Sequence, residues 1–193
     1  FGLFPRKMSG LTGVFTAPFV HIDFSHFISN FLALVILLPI LFTVFHKVSY
    51  FLFPFFYIIP GIFTWLIGKK SCHIGASGIV YALITFIVGI GFFSKKRELI
   101  ALSFAVLFLY TGFIWGILPI KVGVSWEYHL GGFIVGFIFA VLFRTYTFVT
   151  PTQTYDVENE AADDAVDDEI VIDNTNCTDS TIEYTYTYRS RTE

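Results

Sequence analysis

With 55% hydrophobic residues, 14% charged residues and a mean hydropathy of +0.71 over 193 residues, this chain is too apolar for an ordinary soluble domain. Its net charge of −3 hides a division: residues 151–193 carry twelve of the fifteen acids but two of the twelve bases, a balance of −10 there and +7 elsewhere. Nucleic-acid binding is not expected, because the cations sit in short links between apolar runs, where lipid headgroups account for them.

Residues 1–25 mix apolar side chains with Gly10, Gly13 and Pro18 and carry a basic pair, Arg6 and Lys7. They hold no full span, and an interfacial loop or short amphipathic helix is expected there. Five apolar runs follow, at 26–45, 48–67, 74–93, 99–120 and 128–143. A helix of about 20 such residues crosses a bilayer. The last run is the shortest, and Arg144 at its end can extend its charge to the headgroups. The links are Lys47, 68–73, 94–98 and 121–127, so neighbouring helices should run antiparallel. Residues 26–145 are therefore expected to form an all-α, polytopic transmembrane bundle.

Residues 146–193 read as an acidic tail. From residue 151 on it has no Leu or Phe with which to build a core, and disorder is expected. The Thr/Tyr alternation at 184–188 is strand-like but isolated. Cys72 and Cys177 fall on opposite membrane sides by the span count, so no disulfide between them is expected. Because the chain opens on Phe1 and no signal-peptide pattern precedes the first span, it is expected to be a fragment with something N-terminal removed.

Antiparallel succession gathers His21, His26, Asn30, Ser77, Tyr81 and His129 at one membrane face. Ionisable and polar residues in spans are costly and usually functional. Lys and Arg do not orient that face: Lys47, Lys95, Lys96, Arg97 and Arg144 lie opposite it, while Arg6, Lys7, Lys69, Lys70 and Lys121 lie on it.

Gly75, Ala76, Ser77 and Gly78 open the third span. Small residues allow close backbone approach, and a helix N-terminus offers unpaired amides to a developing negative charge. Tyr81 lies one turn deeper on the same face. His129 opens the fifth span and is followed by Gly132 and Gly136, a spacing that allows tight helix contact. Contact with the third span would give Ser77 the adjacent base that a serine nucleophile needs, and Tyr81 would pack on the imidazole. A buried histidine bonded to a carbonyl is the simpler account of His129 alone; Ser77 and the glycines together favour the dyad. His26 and Asn30 share a face of the first span, and their N–H groups suit an oxyanion beside Ser77. Interhelical bonding is the plainer alternative for Asn30.

The segments LTGVFTAPFVHIDFSHFISN, GASGIVY and SWEYHLGGFIVGF, in this order and spacing, resemble three signatures of the rhomboid family of intramembrane serine proteases. The resemblance covers residues 1 to about 143. It implies a serine endopeptidase that cleaves transmembrane segments of membrane proteins with a Ser77–His129 dyad and no third carboxylate. It also implies His26 and Asn30 as oxyanion-stabilising side chains, Tyr81 as the ring stacked on the catalytic histidine, and His21 in support. The family has six core helices against the five read here, so the first core helix is expected to be missing from this chain. The resemblance further implies a multi-pass protein of the plasma or inner membrane, with the active site on the non-cytoplasmic face and the tail in the cytoplasm. Its partners would be transmembrane protein substrates and the lipid bilayer, with no cofactor or metal.

Three rivals are weaker. A non-catalytic rhomboid-like protein that binds membrane clients would lack the Ser or the His, and both are here. A transporter would not pair Ser with His. A metal site built from His21, His26, His73 and His129 is disfavoured, because His21 and His26 are not at the i, i+4 spacing of a helical ligand pair.

Overall fold

A computed structural model describes residues 1–120 and 123–146. The chain opens with a 3₁₀ turn at Met8–Gly10, the one-turn helix α1 (Gly13–Thr16) and a second 3₁₀ turn at Ala17–Phe19. Leu3 and His73 exchange two backbone hydrogen bonds of 2.9 Å, and the Gly75 N–H donates to the Ala17 carbonyl at 2.8 Å. The opening segment is thereby fastened beside the link that leads to Ser77, while Phe15, Phe19, Ile22 and Phe24 stay exposed.

Six further helices follow: α2 (Phe24–Val44), α3 (His46–Ile67), α4 (Ser77–Phe93), α5 (Arg97–Leu109), α6 (Phe113–Gly116) and α7 (Trp126–Leu142). α2 begins before residue 26 because Asp23, in extended backbone, caps it and accepts the His26 N–H at 2.7 Å. The turn into α3 falls at Phe45 rather than Lys47, and Lys47 lies within the first turn of α3. The Phe45 ring is buried against Phe86 at 5.2 Å, so the core takes the aromatic and the cation stays outside.

The run at 74–93 becomes helical only at Ser77. Gly75 has φ +100, a left-handed conformation in which a side chain would be strained. The run at 99–120, expected to be one span, is not one helix. It breaks after Leu109, and only the single turn of α6 re-forms. No proline marks the break.

α4 is the centre of the bundle, buried almost continuously from Gly78 to Ile87. A helix apolar on all sides must be surrounded, and α2, α3, α5 and α7 pack around it. α7 approaches closest through glycines: Gly132 faces the Gly78 carbonyl and Gly136 the Ala82 carbonyl. On the other side Gly91 makes room for Ser103 of α5, whose hydroxyl donates to the Ile87 carbonyl at 2.9 Å.

The outer faces carry exposed apolar side chains, among them Leu32 and Val35 on α2, Ile62 on α3, Phe104 and Phe108 on α5, and Ile138 on α7. Such a surface suits lipid rather than water. With 21 and 22 residues and mean hydropathies of 2.5 and 1.8, α2 and α3 are long and apolar enough to cross a membrane. α4 and α7 have 17 residues each, and at 1.5 Å per residue they reach about 25 Å. The described residues thus form an all-α membrane bundle. The expected disordered tail, the alternation at 184–188, Cys177 and Lys121 lie outside the described residues.

Candidate active site

Ser77 is the first residue of α4, and neither Ala76 nor any other side chain caps this helix end. The Ile79 N–H bonds the Ala76 carbonyl at 3.0 Å, which leaves the Ser77 and Gly78 amides ahead of the helix's own ladder. His129 lies in the first turn of α7, and the glycine contact between Gly132 and Gly78 brings the two helix ends together. Ser77 Oγ and His129 Nε2 are 2.8 Å apart.

The rest of the imidazole is fully engaged. His129 Nδ1 lies 2.9 Å from the Gly116 carbonyl, which can only accept, so Nδ1 carries the proton. In the neutral ring Nε2 is then an acceptor, and Ser77 donates to it. One face of the imidazole is covered by Tyr81, with centroids 4.2 Å apart and planes 7° from parallel. The Tyr81 hydroxyl donates to the Phe113 carbonyl at 2.6 Å. Both carbonyls belong to α6, so the interrupted fourth run meets Tyr81 and His129 at its single re-formed turn. Position 116 must be glycine, because a Cβ there would overlap the Tyr81 hydroxyl and lie 3.0 Å from His129 Nδ1.

His26 and Asn30 come from α2. Asn30 is buried and donates one amide hydrogen to the His26 carbonyl at 2.9 Å, which leaves its second hydrogen for another acceptor. The His26 ring lies against Gly75, two residues before Ser77. A Cβ on Gly75 would meet His26 Cε1 at 2.7 Å and Asn30 Nδ2 at 3.6 Å. His21 packs edge-on against His26, with centroids 5.2 Å apart, and against Phe27 at 5.3 Å. It stands behind His26, outside the lining of the cavity that reaches Ser77.

That cavity, of about 1090 Å³, is walled by α2, the 69–74 link, the segment around Tyr110–Phe113 and the entry to α7 around Ser125 and Glu127. His26, Asn30, Ser77, Tyr81 and His129 all line it. The four histidines weighed as metal ligands do not converge. His129 is engaged by Ser77 and Gly116, and His73 by Ser125 and the Lys69 carbonyl. Sequence reasoning missed Gly116 and Phe113, whose roles are played by backbone carbonyls. The pair of glycines at 112 and 116 in an apolar run was the one available signal.

The family model described as Rhomboid domain matches residues 9–146. The chain belongs to the rhomboid family. Its members are generally intramembrane proteases, although some rhomboid-like proteins are inactive. Among curated relatives, an uncharacterized protein of Mycobacterium tuberculosis is 36% identical over 152 residues, covering 73% of this chain and 62% of that protein. An uncharacterized protein of Mycobacterium bovis matches to the same extent. One of Mycobacterium leprae is 30% identical over 145 residues, or 70% of this chain and 57% of the relative. This rhomboid chain thus spans about three-fifths of the length of the curated relatives it matches.

Proposed function

We propose that this rhomboid protein is a serine endopeptidase that cleaves transmembrane segments of other membrane proteins. The observation that carries this reading is the 2.8 Å approach of Ser77 Oγ to His129 Nε2, with Nδ1 already committed to the Gly116 carbonyl. A serine hydroxyl is a weak nucleophile until a base is ready to take its proton, and this tautomer of His129 is ready. Ser77 Oγ attacks the scissile carbonyl while Nε2 accepts its proton. The carbonyl oxygen becomes an oxyanion, met by the Ser77 N–H and by His26 and Asn30. His129 then returns the proton to the departing amine, and the acyl group remains on Ser77. Water, deprotonated by the same imidazole, attacks the acyl group, and His129 returns the proton to the departing Ser77 oxygen. The Gly116 carbonyl and the Tyr81 ring do the orienting that a carboxylate does in the Ser-His-Asp triad.

On this reading residues 26–145 are the protease domain, preceded by an interfacial segment at 1–25 and followed by a cytoplasmic tail at 146–193. The chain passes the bilayer several times, with Ser77 toward the non-cytoplasmic face. A substrate segment lying in the cavity between α2 and Tyr110–Phe113 has its backbone exposed to Ser77.

A fluorophosphonate probe tests this on the membrane-embedded protein. Stable labelling that is lost in Ser77→Ala, together with loss of cleavage of a single-span test substrate, is expected. Absence of labelling in folded wild-type protein would favour a client-binding role instead.

A further inference from the structure

A second pair of side chains joins the same two segments that bear the dyad, at matching positions. His73 precedes Ser77 by four residues, and Ser125 precedes His129 by four. The two are hydrogen-bonded through His73 Nδ1 and the Ser125 hydroxyl. His73 Nε2 lies 3.0 Å from the Lys69 carbonyl, so Nε2 carries the proton and, in the neutral ring, Nδ1 accepts from Ser125. Ser125 occupies the N-cap position of α7, yet its side chain caps nothing in its own helix. Serine at that position ordinarily accepts an N–H of the first turn. Here its side chain is turned instead toward the strand of chain that leads to Ser77.

A neighbouring contact closes the loop. Glu127 is 2% exposed, and its Oε1 accepts the Lys69 N–H at 3.2 Å. Lys69 is thus held on both sides of its residue, by Glu127 at the N–H and by His73 at the carbonyl. His73, itself 3% exposed, also exchanges both backbone hydrogen bonds with Leu3. Burying a carboxylate and an imidazole is costly unless every contact is made, so a cluster of this kind is a stiff one. On the α7 side, the Ser125 carbonyl accepts the His129 N–H at 3.3 Å, which ties the cluster directly to the backbone of the base.

We infer that the His73–Ser125 bond, with Glu127 on Lys69, is a positioning brace that, together with the Gly78–Gly132 contact, holds the separation of Ser77 and His129. The dyad is bracketed along both segments. The glycine contact at Gly78 and Gly132 follows it, and the brace precedes it. Without the brace, the link at 68–76 and the start of α7 could drift apart even while α4 and α7 stayed packed. A displacement of about 1 Å at reacting groups costs on the order of a hundred-fold in rate. The inference rests on the protease reading. His73 and Ser125 also line the cavity, but their side chains bond each other and the Lys69 carbonyl rather than the nucleophile or the base, so they act as positioning residues.

The test compares wild-type protein with Ser125→Ala, Ser125→Thr, His73→Gln and the double variant His73→Gln/Ser125→Ala, all reconstituted in lipid. For each, kcat and KM on a single-span substrate, the rate of fluorophosphonate labelling of Ser77 and the unfolding midpoint are measured. Ser125→Ala should lower kcat and labelling rate on the order of ten-fold while KM stays within about two-fold. Ser125→Thr, which keeps the hydroxyl, should restore both. The double variant should be no slower than the worse single one, because either change already breaks the bond. Should Ser125→Ala not fold, the same comparison is made with His73→Gln. Wild-type labelling with an equal rate in the variants overturns the brace alone. So does a loss that tracks only the folded fraction. Wild-type protein that does not label overturns the protease reading and the brace with it.

Discussion

Adding one methyl group at Gly132 should disable the dyad from a distance. The Cβ of Gly132→Ala would lie 2.9 Å from the Tyr81 Cβ and closer still to the Gly78 carbonyl oxygen. Unstrained carbon–carbon contacts begin at about 3.5 Å, so α7 must retreat from α4 by at least about 0.6 Å. Neither obstacle is the end of a flexible side chain, and the helices cannot yield locally. Applied to the 2.8 Å between Ser77 and His129, the retreat gives about 3.4 Å or more, beyond useful hydrogen-bond range. On the proposed reading the hydroxyl then loses its base in the resting state, and kcat should fall about ten- to a hundred-fold. Overpacking should also cost about 1–3 kcal/mol of stability. KM should change less than kcat, because the walls on α2, the 69–74 link and Tyr110–Phe113 are untouched and only the α7 wall shifts. The assay is cleavage of a single-span substrate by lipid-reconstituted enzyme, with kcat and KM separated and thermal unfolding measured beside them. Wild-type kcat in folded Gly132→Ala would refute the claim that glycine contact sets the dyad distance.

Three other outcomes are expected. His26→Ala and Asn30→Ala should each lower kcat on the order of 10²–10³ with KM nearly constant, since an oxyanion exists only around the transition state; a pure KM effect would reduce both residues to substrate binding. Tyr81→Phe keeps the ring on His129 and loses one hydrogen bond to Phe113, so it should retain much of the turnover that Tyr81→Ala loses; equal kinetic losses would deny the stacking any role. Chelators should leave cleavage unchanged, because on the proposed reading Ser77 is activated by a base and needs no metal; loss on chelation with restoration by zinc would revive the histidine-ligand alternative.

Local pattern was enough for much of this molecule. Hydropathy marked α2, α3, α4 and α7 to within a few residues, because a spanning helix must be apolar along its length whatever surrounds it. Rarity of residue type marked Ser77, His129, His26 and Asn30, since polar groups are conspicuous in apolar runs. The spacing of Gly132 and Gly136 announced a close helix contact, though not its partner. The errors were also local. The turn was read at Lys47 because a charge looks like an end, whereas burial of Phe45 decided it.

By itself, then, the sequence determined the class of fold and the residues able to carry chemistry. Only the tertiary structure decided how they are aimed. It broke the fourth apolar run, so that the carbonyls of Phe113 and Gly116 serve Tyr81 and His129. It turned Ser125 away from its own helix and toward His73. The reason is general: side-chain type is written in the sequence, but every residue has a carbonyl, and which one is left free for a neighbour depends on how the helices pack.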